Sequence, residues 1–298
     1  RPCRASFAAS DHRNTARPRF HASLLASGLV VAFAACASTT ATPADTATAT
    51  TQADAALDAA IAHPARDPKN VARDVHRHPR ETLGFFQVKP DATIIEISPS
   101  GGWYSEILAP YLRDAGRYVA ATASAPADSG GGKRNAALQA KFAAAPARYD
   151  RVQWLEYDGK APMLGAPGSA DVVLTFRNVH NWVAAGTTDA YFQAFFAALK
   201  PGGVLGVVDH RARPGTGLEA MKTSGYLTEA LVIDHATRAG FVLEARSEVN
   251  ANPKDTADHP NGVWTLPPTH RHEPGDAAKY AAIGESDRMT LRFRKPAR

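Results

Sequence analysis

Between Thr93 and Asp209, short β-branched runs alternate with stretches of helical periodicity, and few folds accommodate that alternation. Thr93–Ser98, Arg117–Thr122, Val152–Tyr157, Asp171–Phe176 and Val204–Asp209 read as strands. The stretches starting at Trp103, Lys133 and Thr187 read as helices. The last of these sets Tyr191, Phe192, Phe195, Phe196 and Leu199 along one side, the stripe of a helix packed on a core. Strands joined by helices run parallel, so the reading is an α/β domain with helices on both faces of its sheet. A helix over Leu227–Ala239 and strands over Phe241–Val249 and Met289–Arg294 follow. The last two strands lack a full helix between them, which predicts an antiparallel edge strand. The long Asn250–Arg288 connection, with Trp264 and Leu266 in "NGVWTLPP", reads as a lid or wall over the substrate side.

What precedes this domain differs in composition. Residues 1–35 hold +4 of the chain's net +5, so the remainder is close to neutral and nucleic acid is not expected as a partner. The five leading arginines, the apolar run Ala22–Ser38 and its small residues have the parts of a secretory signal. Cys36 behind Ala34 and Ala35 resembles a lipoprotein box, although Phe33 stands where leucine is preferred; cleavage after Ala34 is the competing version. The expected organisation is a signal peptide over 1–36, a disordered Ala/Thr-rich linker over 37–62, and one domain over 63–298. This predicts export to the periplasm or cell envelope with a membrane tether through Cys36, or a cytoplasmic protein if the leader is not a signal. The two cysteines, Cys3 and Cys36, leave the domain without a thiolate metal site, and no metal is expected.

In open parallel sheets, ligands collect at the carboxyl ends of the strands. The first strand ends in "EISPSGG". Glu96 is a hydrogen-bond acceptor there, and Ser98, Ser100, Gly101 and Gly102 form a turn that lets a ligand approach the backbone. The competing reading of Glu96 is a carboxylate buried and hydrogen-bonded within the fold. Asp209 and His210 end the fifth strand and face the same region, either to bind substrate or to tie down the loop that follows. A nicotinamide-type Gly-x-Gly-x-x-Gly is not supplied by "SPSGGW".

Together with the segments "DVVLTFRNVHNW", "LKPGGVLGVVDHRA" and "GESDRMTLRFRKP", this turn resembles the class I S-adenosylmethionine (SAM) dependent methyltransferases, and more narrowly a bacterial group of exported methyltransferase-like proteins. The resemblance covers roughly Arg73 to Pro296. It implies a Rossmann-like fold with a mostly parallel seven-stranded sheet, SAM as cofactor and a small-molecule substrate. It places Glu96 near the methionine and ribose of SAM, with Ser98, Ser100, Gly101 and Gly102 packed under it. Asp158 falls where a side chain meets the adenine. Asn178 and Val179 open the floor of the transfer site, where His180 is the candidate base; its competing role is to cap the loop. Two departures stand out: serines replace two turn glycines, and no acidic residue closes the second strand to hold the ribose. SAM is a cytosolic metabolite, which conflicts with an export leader. Two functions follow: a methyltransferase acting on a small molecule, or a non-catalytic envelope binding module with the same fold.

Overall fold

The computed structural model describes residues 43–297. The signal peptide and Cys36 lie outside the described residues. Seven strands form one sheet: β1 (Thr93–Ile97), β2 (Arg117–Ala123), β3 (Gln153–Tyr157), β4 (Ala170–Phe176), β5 (Leu199–His210), β6 (Val242–Ser247) and β7 (Arg288–Arg294), in the order β3-β2-β1-β4-β5-β7-β6. β1 to β5 pair in parallel. β7 runs antiparallel to both β5 and β6 and so lies one place in from the edge. The order reverses between β1 and β4, which is where a parallel sheet opens a crevice.

Alternation along the strands fills a core on each face. Ile95 and Ile97 of β1, Val173 of β4 and Leu205 and Val207 of β5 pack under the helices Thr188–Ala198 and Glu229–Arg238. Ile94, Leu174, Val204 and Val208 face the other way, against Leu83, Phe86, Ile107 and Leu108. Gly206 lies on that second face beneath Phe86: a Cβ there would come within 2.7 Å of the ring, so only glycine lets the helix Pro79–Phe85 sit this close.

Two expectations need correction. The stretch assigned to the linker is helical over Pro43–Ile61, so the folded unit begins ahead of residue 63. Leu57 and Ala60, one turn apart, are buried beside Ile61 in the second core, and Arg80 pairs with Asp58 at 2.8 Å. Alanine is the best helix former, and a single buried stripe suffices to dock such a helix. The floor segment that opens at Asn178, expected as a loop, forms the N-cap and then the helix Val179–Ala185, closed by Gly186 at φ 70°.

Candidate functional site

The turn after β1 is held in unusual backbone geometry. Ser98 (φ 49°) and Ser100 (φ 56°) occupy the left-handed region alongside Gly102 (φ 76°), so the serines do replace glycine where glycine would be easiest. The Ser98 N–H donates to Ala121 and that of Gly102 to Pro99, whereas the N–H groups of Ser100 and Gly101 make no backbone hydrogen bond among the described residues. A Cβ built on Gly101 meets nothing within 4 Å, whereas one on Gly102 would strike Leu138. Gly101 therefore borders open space and Gly102 borders the helix behind the turn.

Glu96 lies on the second-core face beneath this turn. Its Oε2 is 2.9 Å from the Ser105 hydroxyl and 2.5 Å from that of Tyr118. Burial pushes its carboxyl up to about 7, against the pull of these two hydrogen bonds. These contacts are those of the competing reading, a carboxylate bonded within the fold. Asp158 is exposed and caps its own turn by accepting the Lys160 N–H. Ser124, the residue after β2, donates to Glu156 of β3 at 2.7 Å and so sets a carboxylate next to the position where an acid is missing.

Asn178 spans the crevice, its amide donating to the Ile97 carbonyl of β1 at 3.0 Å and to Thr175 of β4 at 3.3 Å. The Val179 side chain is wholly in the core and offers nothing to a ligand. His180, Asp209 and His210 come together at the ends of β4 and β5. Asp209 is fully buried, and its carboxylate receives the His180 ring at 2.9 Å and the backbone N–H groups of His180 and His210. The anion fixes the His180 proton on Nδ1, which leaves Nε2 as the acceptor. The His210 Nε2 receives the Arg177 Nε at 3.3 Å, so its Nδ1 must donate to Ser286. Burial, followed by the Arg177 charge, lowers the His210 pKa well below the ordinary value and keeps the ring neutral. The three side chains are close enough to share a metal ion, but Arg177 already donates into one of the nitrogens, and a second cation there would meet its charge.

Beside the turn, a cavity of about 140 Å³ is lined by Ser100, Gly101, Tyr104 and four arginines: Arg73, Arg77, Arg177 and Arg288. No arginine was among the expected site residues. Arg73 and Arg77 come from the segment ahead of β1, Arg177 follows β4, and Arg288 starts β7. Three of them share one buried carboxylate: Glu285 accepts from Arg73 at 2.5 Å, from Arg77 at 3.3 Å, and from Arg288. These cations hold the Glu285 carboxyl far below its usual range despite its burial. Arg77 also lies over the Trp103 ring at 4.8 Å, and Trp103 is fixed by its Nε1 bond to the Asn70 carbonyl. Arg177 and Arg288 stand in "RNVHNW" and "GESDR", but only folding brings these segments to Arg73 and Arg77.

The Asn250–Asp287 connection is packed rather than loose. Val263 and Leu266 are buried, Trp264 is half-buried with its ring 6.2 Å from that of His180, and Asp255 gathers Tyr226, His259 and the Asp287 N–H.

No protein-family model and no curated protein sequence matches the chain. Among solved structures, it resembles a SAM-dependent methyltransferase from Aquifex aeolicus, with a TM-score of 0.52 and 14% identity over 77% of this chain and 94% of that one. It also resembles a protein of Galdieria sulphuraria designated a sarcosine dimethylglycine methyltransferase (TM-score 0.53, 14% identity, 78% and 89% covered). A third similar structure is the [4+2]-cyclase SpnF (TM-score 0.52, 16% identity, 75% and 81% covered). At such identities the likeness is one of architecture, and with the seven-stranded order and the turn after β1 it leads to one conclusion: the chain has the Rossmann-like fold of class I SAM-dependent methyltransferases.

Proposed function

We propose that the chain is a SAM-dependent methyltransferase acting on a small molecule. The observation that carries this reading is the β1 turn: among the described residues nothing bonds the Ser100 and Gly101 N–H groups, and the turn opens on a cavity at the point where the strand order reverses. Those N–H groups suit the carboxylate of a bound methionine moiety. Ser98 and Gly102 shape the turn, Glu96 supports it from below, and Asn178 holds the floor between β1 and β4. Asp158 would lie at the adenine end, with Glu156 standing in for the absent ribose acid. When bound, SAM supplies an activated methyl group.

The chain's own part in transfer is positioning and proton acceptance. Asp209 orients His180 so that its Nε2 can take a proton from an acceptor hydroxyl or amine, and it stabilises the charge that then forms on the ring. His210 stays neutral and steers Arg177. The expected result is release of S-adenosylhomocysteine from SAM in the presence of a small-molecule cell extract, abolished in Asp209→Asn. Release that is independent of extract, or unaffected by the substitution, contradicts this assignment. Export to the envelope with Cys36 as the acylated N-terminus belongs to the same proposal; mass spectrometry of the membrane fraction should find the lipid on Cys36.

A second reading, a binding module without turnover, rests on the serines at positive φ and on the absent acid at the end of β2. SAM binding without any release of S-adenosylhomocysteine would favour it.

A further inference from the structure

The arginine cavity has more positive charge than the fold needs. Four guanidinium groups surround it, and among the described residues Glu285 is the one carboxylate paired with them. The next acid, Asp209, has both oxygens engaged by the two histidine segments. Arg288 is almost fully buried, and among the described residues its Nε has no partner; the Arg73 Nη2 is likewise buried and without one. Arg177 sits at φ 63°, a conformation uncommon for a residue with a long side chain, and its single side-chain hydrogen bond goes through Nε to His210. That bond leaves the two terminal nitrogens of the fork unused. A protein retains crowded, incompletely bonded guanidinium groups where an oxyanion completes them.

We propose that this cavity binds a compact dianionic oxyanion, as in a phosphate monoester or a dicarboxylate, carried by the small molecule that the chain methylates. The assignment to the methyl acceptor rests on the methyltransferase reading; the anion site itself does not. SAM does not discharge these arginines: the carboxylate it would set on the Ser100 and Gly101 N–H groups at the cavity's edge comes with an ammonium and a sulfonium, so bound SAM adds net positive charge and leaves the guanidinium groups to the acceptor's anion. The cavity is the size of a few water molecules, which suits a tetrahedral or paired-carboxylate group and excludes a nucleic-acid backbone or a protein surface. Arg177 couples the anion to the chemistry: it touches the cavity on one side and His210 on the other, within the Asp209 network that holds His180.

Calorimetric titration of the full chain with inorganic phosphate tests the proposal, with glycerol 3-phosphate, succinate and acetate titrated at matched ionic strength. Phosphate or one of the two dianions should bind at one site per chain, about tenfold or more tighter than acetate, because charge-assisted bonds to a second oxyanion charge are lost with the monoanion. Glycerol 3-phosphate outrunning succinate assigns a phosphate, and the reverse assigns a dicarboxylate. Arg177→Gln and, on the more exposed side, Arg73→Gln should each weaken binding by about tenfold while S-adenosylhomocysteine still binds. Equal binding of acetate, displacement by chloride at matched ionic strength, or unchanged affinity in folded forms of both variants overturns the proposal. Failure of S-adenosylhomocysteine to bind while phosphate does would instead remove the methyltransferase reading and leave the anion site standing.

Discussion

Glu96 and Glu285 are buried to the same degree, each about 2% exposed, yet their environments push their carboxyls in opposite directions. Glu96 sits among apolar side chains with two hydroxyls for company, and burial raises its carboxyl to about 7. Glu285 sits among three arginines, and their charge overrides the same desolvation. Burial therefore does not decide whether an acid is charged; the neighbours do. One acid supports a turn and changes its charge near neutrality. The other is a fixed anion that partly neutralises a cationic cavity.

The comparison can be broken most severely at Glu285. Glu285→Gln leaves buried arginines without their counter-charge and should destabilise the chain by about 3–5 kcal/mol in denaturant titration. A loss below 1 kcal/mol would mean that solvent already screens the arginines. The pH dependence has a definite sign: a depressed carboxyl stabilises the fold above its unfolded value and loses that contribution as the pH falls. Glu285→Gln should therefore be less acid-sensitive than the wild type.

Glu96 should do the reverse. Its folded carboxyl is raised from 4.5 to about 7, so the fold binds the proton more tightly than the unfolded chain does. Stability should fall as the pH rises through this window, by up to about 3 kcal/mol at its upper end. Glu96→Gln should melt close to wild type at pH 4.5 and above it at pH 8; a gap that does not widen with pH contradicts the assignment. Tyr118→Phe removes one hydrogen bond that favours the ionised form. It should cost about 1–2 kcal/mol and move the same transition to higher pH. The smallest effect is spectroscopic: Trp264 packs beside His180, so its fluorescence should change when S-adenosylhomocysteine binds if the connection acts as a lid. A signal indifferent to ligand would leave a packed flap.

Much of the fold was legible because each strand announces itself locally. "TIIEI", "DVVLTF" and "VLGVVD" are β-branched, apolar and bounded by turn residues, and β1, β4 and β5 cover them. The helix Val179–Ala185 is also encoded, with Val179, Trp182 and Val183 buried at helical spacing, although it is too short to give a strong periodic signal. The helix Pro43–Ile61 reads as linker in sequence because alanine and threonine fill most of it, and its docking stripe among the described residues is confined to Leu57, Ala60 and Ile61 near its end. At the site, the small-residue turn and the His180–Asp209 contact follow from neighbouring strand ends. The arginine cavity does not: its members span more than two hundred residues of chain, and only the β7 insertion beside β5 brings Glu285 and Arg288 to the segment ahead of β1.

The central claim, that this fold holds SAM at the β1 turn, is tested most directly by calorimetric titration of the full chain with SAM and with S-adenosylhomocysteine. The account predicts saturable binding of both at one site, with rising thermal stability as ligand is added, and loss of both effects when a bulky side chain fills the open space at Gly101, as in Gly101→Trp. No heat and no thermal shift with either ligand at millimolar concentration, or undiminished binding in a folded Gly101→Trp protein, would contradict it.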